Sequence, residues 1–153
     1  MSLPALTIRP YEPQDCEQLL EIWLAASRLG HAFLGESTLL DQCAIVRDVY
    51  LPQAENHVAL SGQTPVGFIG LLDCFIGGLF VDPAFHGKNI GRSLVEHVSP
   101  LKPWLELEVY AANPLAAPFY RKLGFREISR RANDDEGRPF ELIRMRRDHP
   151  RET

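Results

Sequence analysis

The chain has 153 residues, 45% of them hydrophobic and 24% charged, values that suit one globular domain and exclude disorder over most of the length. Its formal charge of −4 resides in residues 1–50, where seven acids (Glu12, Asp15, Glu17, Glu21, Glu36, Asp41 and Asp48) outnumber three arginines (Arg9, Arg28 and Arg47), and the remainder is neutral. No broad basic face of the kind that nucleic-acid affinity requires is present, so no nucleic-acid partner is expected.

In chain order, Leu6-Thr7-Ile8-Arg9 alternates apolar with polar and predicts a first strand. Pro13 then opens a helix, with Asp15 and Glu17 near its positive end. Cys16, Leu19, Leu20 and Trp23 recur at the spacing of one helical face. A second helix is predicted from about Ser37 to Tyr50, striped by Leu39, Cys43, Val46 and Tyr50 and stopped by Pro52. The period then changes. His57–Leu60 and Val66–Leu72 read as strands about a Gly62-Gln63 turn, and Ile76–Val81 as a further strand. A glycine-bearing loop leads into a helix with Ile90, Leu94, Val95 and Val98 inward. Pro103–Tyr110 alternates again, and Pro114–Leu123 reads as a short helix capped by Gly124. Phe125–Arg131 and Phe140–Met145 form a hairpin around Asp134-Asp135-Glu136-Gly137. The order β-αα-βββ-α-β-α-ββ, with its central strands adjacent in sequence, predicts an α/β fold with a mixed sheet, not a doubly wound one.

The most apolar stretch, Val66 to Val81, is interrupted by Asp73 and by glycines, Gly67, Gly70, Gly77 and Gly78 among them, and falls short of the roughly 20 residues a bilayer needs. The start, MSLPALTIRPYEP, has no basic segment leading into a long apolar core. No membrane association is expected. Cys16, Cys43 and Cys74 are odd in number and form no CxxC pair. They read as small buried hydrophobes of a reducing, cytoplasmic compartment, and no metal is expected. The one basic run, Arg144, Arg146, Arg147 and Arg151, reads as a solvated strand end.

Two segments carry chemistry. Residues 79–94 place Gly87 and Gly91 between a strand and a helix. Such a loop can turn several backbone N–H groups toward one point at the positive end of the helix, which makes a site for a phosphate or pyrophosphate. Lys88 and Arg92 would add charge at its rim. The loop is neither a P-loop nor a dinucleotide fingerprint, for it lacks GK[ST] and its strands read as antiparallel. Residues 113–125 place Ala116, Phe119, Tyr120 and Leu123 on adjoining positions of a short helix. The small side chains of Ala116 and Ala117 would let a ligand approach the backbone, and the phenol of Tyr120 could give a proton to a departing thiolate.

With both segments in this order, the chain resembles the GCN5-related N-acetyltransferases. The strand end Leu79-Phe80-Val81-Asp82-Pro83 resembles the family's apolar-x-V-x-P stretch. His86-Gly87-Lys88-Asn89-Ile90-Gly91 stands where the family has [QR]-x-x-G-x-[GA]. Asn113, Ala116, Phe119, Tyr120, Gly124 and Phe125 match N-x-x-A-x-x-F-Y-x-x-x-G-F. The resemblance implies a single N-acetyltransferase domain over residues 1–153, with a mostly antiparallel sheet splayed between its fourth and fifth strands. It implies acetyl-CoA as co-substrate, held by Leu79, Phe80 and Val81 along the pantetheine and by residues 86–93 (Arg92 and Ser93 included) at the pyrophosphate. Asn113, Ala116, Phe119 and Tyr120 would complete that site. His86 and Asn89 depart from the pattern. Asn tolerates positive φ, so the loop can close. His86 offers one hydrogen bond to a phosphate oxygen, or two when protonated, which implies weaker or pH-sensitive coenzyme affinity.

The mechanism so implied is direct attack of a primary amine on the thioester. An N–H of the fourth strand at Leu79 polarises the carbonyl, Gly77 and Gly78 permit the bulge that opens the sheet there, and Tyr120 protonates the thiolate. Glu108, His31 and Asp73 are the candidates for the base. The segment Ser27–Glu36, with Gly30, His31, Phe33 and Gly35, and also Tyr110, would line the acceptor pocket. The acid excess of residues 1–50 falls on the same region and suggests a cationic acceptor: a protein lysine, a peptide N-terminus or a small polyamine. The alternative is a catalytically weak acetyl-CoA-binding sensor of the same fold. A monomer or homodimer is expected.

Overall fold

Seven strands form one sheet in the order β1-β2-β3-β4-β5-β7-β6. The computed structural model describes residues 5–148, so the reading of Arg151 and of the first four residues lies outside the described part. The strands are β1 (Leu6–Pro10), β2 (Glu55–Ser61), β3 (Thr64–Leu72), β4 (Phe75–Val81), β5 (Trp104–Tyr110), β6 (Arg126–Arg131) and β7 (Leu142–Asp148). The helices are α1 (Cys16–Gly30), α2 (Glu36–Ile45), α3 (Leu51–Gln53), α4 (Ile90–Val98) and α5 (Ala116–Lys122). The predicted order holds, and the sheet is mixed: every pairing is antiparallel except β4 with β5.

Alternation along the strands sorts the core into two layers. Val58, Leu60 and Phe68 face α1, α2 and α3 and pack with Leu19, Trp23, Leu39 and Leu51. Ala59, Val66 and Ile69 face the other way and pack with Leu94, Val95, Leu105 and Met145. The central strand β3 is buried on both faces, which is why its sequence reads as a continuous apolar run.

The parallel contact of β4 with β5 is short. Only Phe75 with Glu106 and Ile76 with Leu107 are in register. On the other side of β5, all seven residues pair with β7, from Trp104 with Asp148 to Tyr110 with Leu142. β5 therefore follows β7 away from β4, and the sheet splays open beyond Ile76. On the β3 side, Gly70 pairs with Gly78 and Leu71 with Ile76, so Gly77 is the extra residue of a bulge.

One expectation is corrected. The second helix does not stop at Pro52: α2 runs on through a π-helical turn, Val46–Tyr50, into α3. The wide turn relieves the clash that the Pro52 ring would meet in a regular α-helix, so the chain stays helical through Gln53. The C-terminal basic residues are paired: Arg144 with Glu106 at 3.0 Å, Arg146 with Asp148 at 3.0 Å, and Arg147 with Glu96 at 3.0 Å.

The start of α1 is fixed by a buried ion pair. Arg9 on β1 reaches Asp15 through two bonds, of 2.7 and 2.9 Å, and the Glu12 N–H donates to the same carboxylate at 2.9 Å. The Arg9 guanidinium holds the Asp15 carboxyl below its ordinary range, against burial, with help from the Glu12 amide. A depressed carboxyl contributes stability above its unfolded pKa, near 4, and loses it as the pH falls through the folded value. Asp15→Asn should lower the unfolding free energy by about 2 kcal/mol at pH 7, and by much less at pH 3. Urea titrations at the two pH values measure the difference.

Candidate functional site

The loop after β4 is built to present backbone donors. The Asp82 carboxylate accepts from the Ala84 N–H at 3.0 Å and caps a short 3-10 turn, Pro83–Phe85. Gly87 and Asn89 then take left-handed conformations, φ +80° and +62°, so the chain turns sharply into α4. Asn89 fills its place for the reason expected of it. The Ser93 N–H and hydroxyl both donate to the Asn89 carbonyl, at 3.0 and 2.8 Å, which fixes the turn. The N–H groups of residues 87–92 find no protein acceptor among the described residues. They cluster at the positive end of a nine-residue helix, the arrangement that holds a pyrophosphate. Arg92 lines the adjoining cleft, Lys88 is exposed beside it, and Ser93 serves the loop from behind. Gly91 packs on Phe119 of α5, whose ring leaves only 3.0 Å to where a Cβ would stand.

His86 is placed otherwise than expected. Its Nε2 lies 3.2 Å from the Val81 carbonyl, and a carbonyl only accepts, so the ring spends its Nε2–H on β4. A neutral His86 then has no donor left for a phosphate oxygen.

From this loop a cleft of about 720 Å³ follows the splay between β4 and β5. Gly77, Gly78, Leu79, Phe80 and Val81 line it, and past Ile76 their β5-facing edge carries no strand. Tyr50 sets the shape of this edge from behind. Its hydroxyl donates to the Gly70 carbonyl at 3.0 Å, and its ring occupies the space that side chains at Gly70 and Gly77 would need. Asn56 secures the turn that carries Tyr50: its Nδ2 donates to the Tyr50, Leu51 and Ala54 carbonyls at 3.2 to 3.4 Å. Sequence reasoning placed Tyr50 on the stripe of the second helix but did not assign it to the site. The signal available was the row of glycines, which leaves a trough that some large side chain must fill.

Tyr120 stands on α5 with its ring wedged between Phe119 and Phe125, at centroid distances of 5.0 and 5.4 Å. It is buried, yet it borders the cleft. Burial, and secondarily the nearness of Tyr50, pushes its phenol well above the ordinary value, so at neutral pH it is a proton donor. Ala116 and Phe119 line the same wall. Asn113 bridges the cleft mouth: its Oδ1 accepts from the Leu115 N–H at 3.1 Å, and its Nδ2 faces Gly30 of α1, 2.9 Å from where a Cβ would stand.

At the far end the walls are His31, Tyr110 and a turn between β6 and β7. His31 and Tyr110 meet edge to face at 5.3 Å. Phe33 packs behind both and does not border the cleft; it closes an aromatic cluster with Phe140 at 5.0 Å. The Tyr110 hydroxyl donates to Asp134 at 2.9 Å. Burial opposes ionisation of Asp134, but donors from Arg138, Tyr110 and Glu136 outweigh it and hold the carboxyl below its ordinary range. Glu108 is bound by Arg131 at 2.9 and 3.0 Å. None of the seven acids of residues 1–50 borders the cleft, so their excess does not fall on the acceptor wall as expected. Three of them, Asp15, Glu36 and Asp48, are spent on Arg9, Arg28 and Arg47. The cleft's acids are Glu108, Asp134, Asp135 and Glu136. Linear sequence offered Glu108 but hid the other three, because β6 and β7 bring their turn to the site from 24 residues beyond Tyr110.

Residues 52–127 match the acetyltransferase (GNAT) domain. Over 141 residues the chain is 36% identical to the peptidyl-lysine N-acetyltransferase YjaB of Salmonella typhimurium, which covers 92% of this chain and 97% of that one. The chain belongs to the GNAT acetyltransferase family. It is accordingly an acyltransferase. The solution structure of apo YjaB from Escherichia coli superposes with a TM-score of 0.85 at 34% identity, over 93% of this chain and 97% of that one. The fold alone is shared with the PaiA N-acetyltransferase of Thermoplasma acidophilum in complex with coenzyme A, at a TM-score of 0.75 and 17% identity over 92% and 98% of the two chains.

In this GNAT site the trough at Gly70 and Gly77 leaves no room for a side chain. Gly77→Val should destabilise the chain by about 2 to 3 kcal/mol, whereas Tyr50→Phe, which removes only the bond to Gly70, should cost about 1 kcal/mol. Thermal unfolding of both variants checks the order.

Proposed function

We propose that this chain acts as one N-acetyltransferase domain that moves an acetyl group from acetyl-CoA to the side-chain amine of a lysine in a peptide or protein. The observation that carries the reading is the continuity of one cleft, from the unpaired amides at residues 87–92 to the border formed by Tyr120. The donor set fits the co-substrate. Six N–H groups and Arg92 suit a pyrophosphate, and the unpaired edge of Gly77–Val81 suits the amides of a pantetheine arm, which add to β4 as a short strand would. The lysine acceptor follows the peptidyl-lysine activity for which the YjaB relative is named and the acids at the far end of the cleft. His31 and Tyr110 give the stem of a lysine an apolar passage between those acids and the thioester.

In the reaction a backbone N–H of β4 near Leu79 polarises the thioester carbonyl, for about 3 kcal/mol. The neutral amine attacks the carbonyl carbon, the C–N bond forms, and the C–S bond breaks. Tyr120 gives its proton to the departing thiolate and recovers one from solvent. Its raised pKa suits the task, for the phenol stays protonated at neutral pH. Tyr120→Phe should lower kcat about 100-fold and leave the acetyl-CoA Kd within about twofold. Thiol release and calorimetry read the two numbers. Wild-type turnover in the variant would remove Tyr120 from the mechanism, whereas a wild-type chain that binds acetyl-CoA and acetylates no amine would favour a coenzyme-binding sensor.

The hydrogen bond from His86 to Val81 commits the ring's Nε2–H to β4 and away from the phosphates. His86→Arg should tighten acetyl-CoA binding about fivefold in calorimetric titrations at fixed ionic strength.

A further inference from the structure

We infer that His31 is the base that takes the proton from the acceptor amine, an assignment that rests on the acetyl-transfer reading above. The fold sorts the three candidates by geometry. Asp73 sits exposed in the turn between β3 and β4, at φ +54°, and does not border the cleft. Glu108 borders it, but both its oxygens are taken by Arg131. His31 borders the cleft as well, and its ring nitrogens have no partner among the described residues. The other imidazole on the cleft, His86, lies at the pyrophosphate end and spends Nε2–H on Val81.

The ring of His31 is held fast on the cleft wall. Its backbone N–H donates to the Ser27 carbonyl at 2.7 Å as the C-cap of α1, and its own carbonyl accepts from the Leu34 N–H at 3.0 Å. Phe33 and Tyr110 pack edge-on against it at 6.0 and 5.3 Å. The carbonyl end of a 15-residue helix favours the positive charge that the ring acquires on taking a proton.

The charged groups around it, Glu136 apart, are occupied elsewhere. On β5, Glu108 is bound by Arg131, which also reaches Asp135 at 2.7 Å. On the turn between β6 and β7, Asp134 is bound by Arg138 and by the Tyr110 hydroxyl, and Glu136 is exposed. Beside α1, Arg28 is paired with Glu36 at 3.0 Å. Among the described residues no carboxylate bonds to the ring. Burial alone governs it and pushes its pKa below that of free imidazole, so it is neutral and able to accept at pH 7.

The step balances. The acceptor enters as an ammonium, since a free lysine has a pKa near 10.4. A ring nitrogen of His31 takes one proton, directly or through one water. The amine lone pair then forms the C–N bond as the C–S bond breaks, the nitrogen sheds a second proton to solvent, and Tyr120 supplies the thiolate's proton and recovers one from solvent. His31 returns its proton to water. The net products are the acetylated amine, free coenzyme A and one proton.

The test uses the full chain, acetyl-CoA and the capped tripeptide acetyl-Gly-Lys-Gly-amide, with thiol release followed from pH 6 to 10. His31→Gln should lower kcat at pH 7 about 100-fold with KM within about threefold, and should move the acid limb of the profile up toward the pKa of the free amine. The gap should narrow toward pH 10 as free amine accumulates. Added imidazole should restore at least tenfold of the loss in His31→Ala. Circular dichroism and acetyl-CoA calorimetry establish that each variant is folded and loaded, and the glutamine variant keeps the edge contact should the alanine variant fail to fold. A glutamine variant with wild-type kcat and an unchanged acid limb overturns the assignment of His31 alone. A wild-type chain that binds acetyl-CoA but releases no thiol with the peptide overturns the lysine reading, and this assignment with it.

Discussion

The site exists because β4 and β5 stop pairing. Two residue pairs hold them in parallel, and then the strands part. Two opposed attachments cause the separation. β5 is bound along its whole length to β7, and β4 stays with β3, bent by the extra residue at Gly77. A row of backbone amides and carbonyls is thereby left without a ladder partner in the middle of a sheet. An exposed edge is normally a hazard, because it invites pairing with another chain. Here it lies inside a cleft, where an extended ligand with amide groups of its own can take the place of a strand.

Glycine and tyrosine cooperate to hold that opening. Gly70 and Gly77 give up side chains, and the Tyr50 ring fills the trough they leave. The hydroxyl bond to Gly70 ties the ring to the unbulged neighbour, so the irregular strand is braced against a regular one. The same ring stands near enough to Tyr120 to oppose ionisation of that phenol. The brace of the sheet and the phenol of Tyr120 are thus linked through one aromatic side chain, carried on a π turn.

Much of this was legible in the chain. The element order, the inward face of α4 and the hairpin of β6 with β7 follow from hydrophobic period and turn chemistry, which are local. The left-handed Asn89 was readable because few residues other than glycine accept that conformation. The extra residue at Gly77 was foreshadowed by its glycine pair. Features that depend on distant partners were hidden. The continuation of the second helix past Pro52 was one, since local rules read proline as a stop while a wide turn accommodates it. The placement of charge was another. The N-terminal acids read as an acidic surface near the acceptor, yet three of them close onto arginines and none borders the cleft.

By itself the sequence determined the glycine-bearing loop before α4, the tyrosine of α5 and the family to which they point, because each is a short run whose conformation is set by its own residues. Tertiary structure alone decided which groups remain free to react. Glu108, Asp73 and His31 were equal on paper. Folding brings Arg131 onto the first from 23 residues away, leaves the second in an outer turn, and buries the third without a charged partner. Availability for proton transfer depends on what else a group touches, and no local pattern of residues records that.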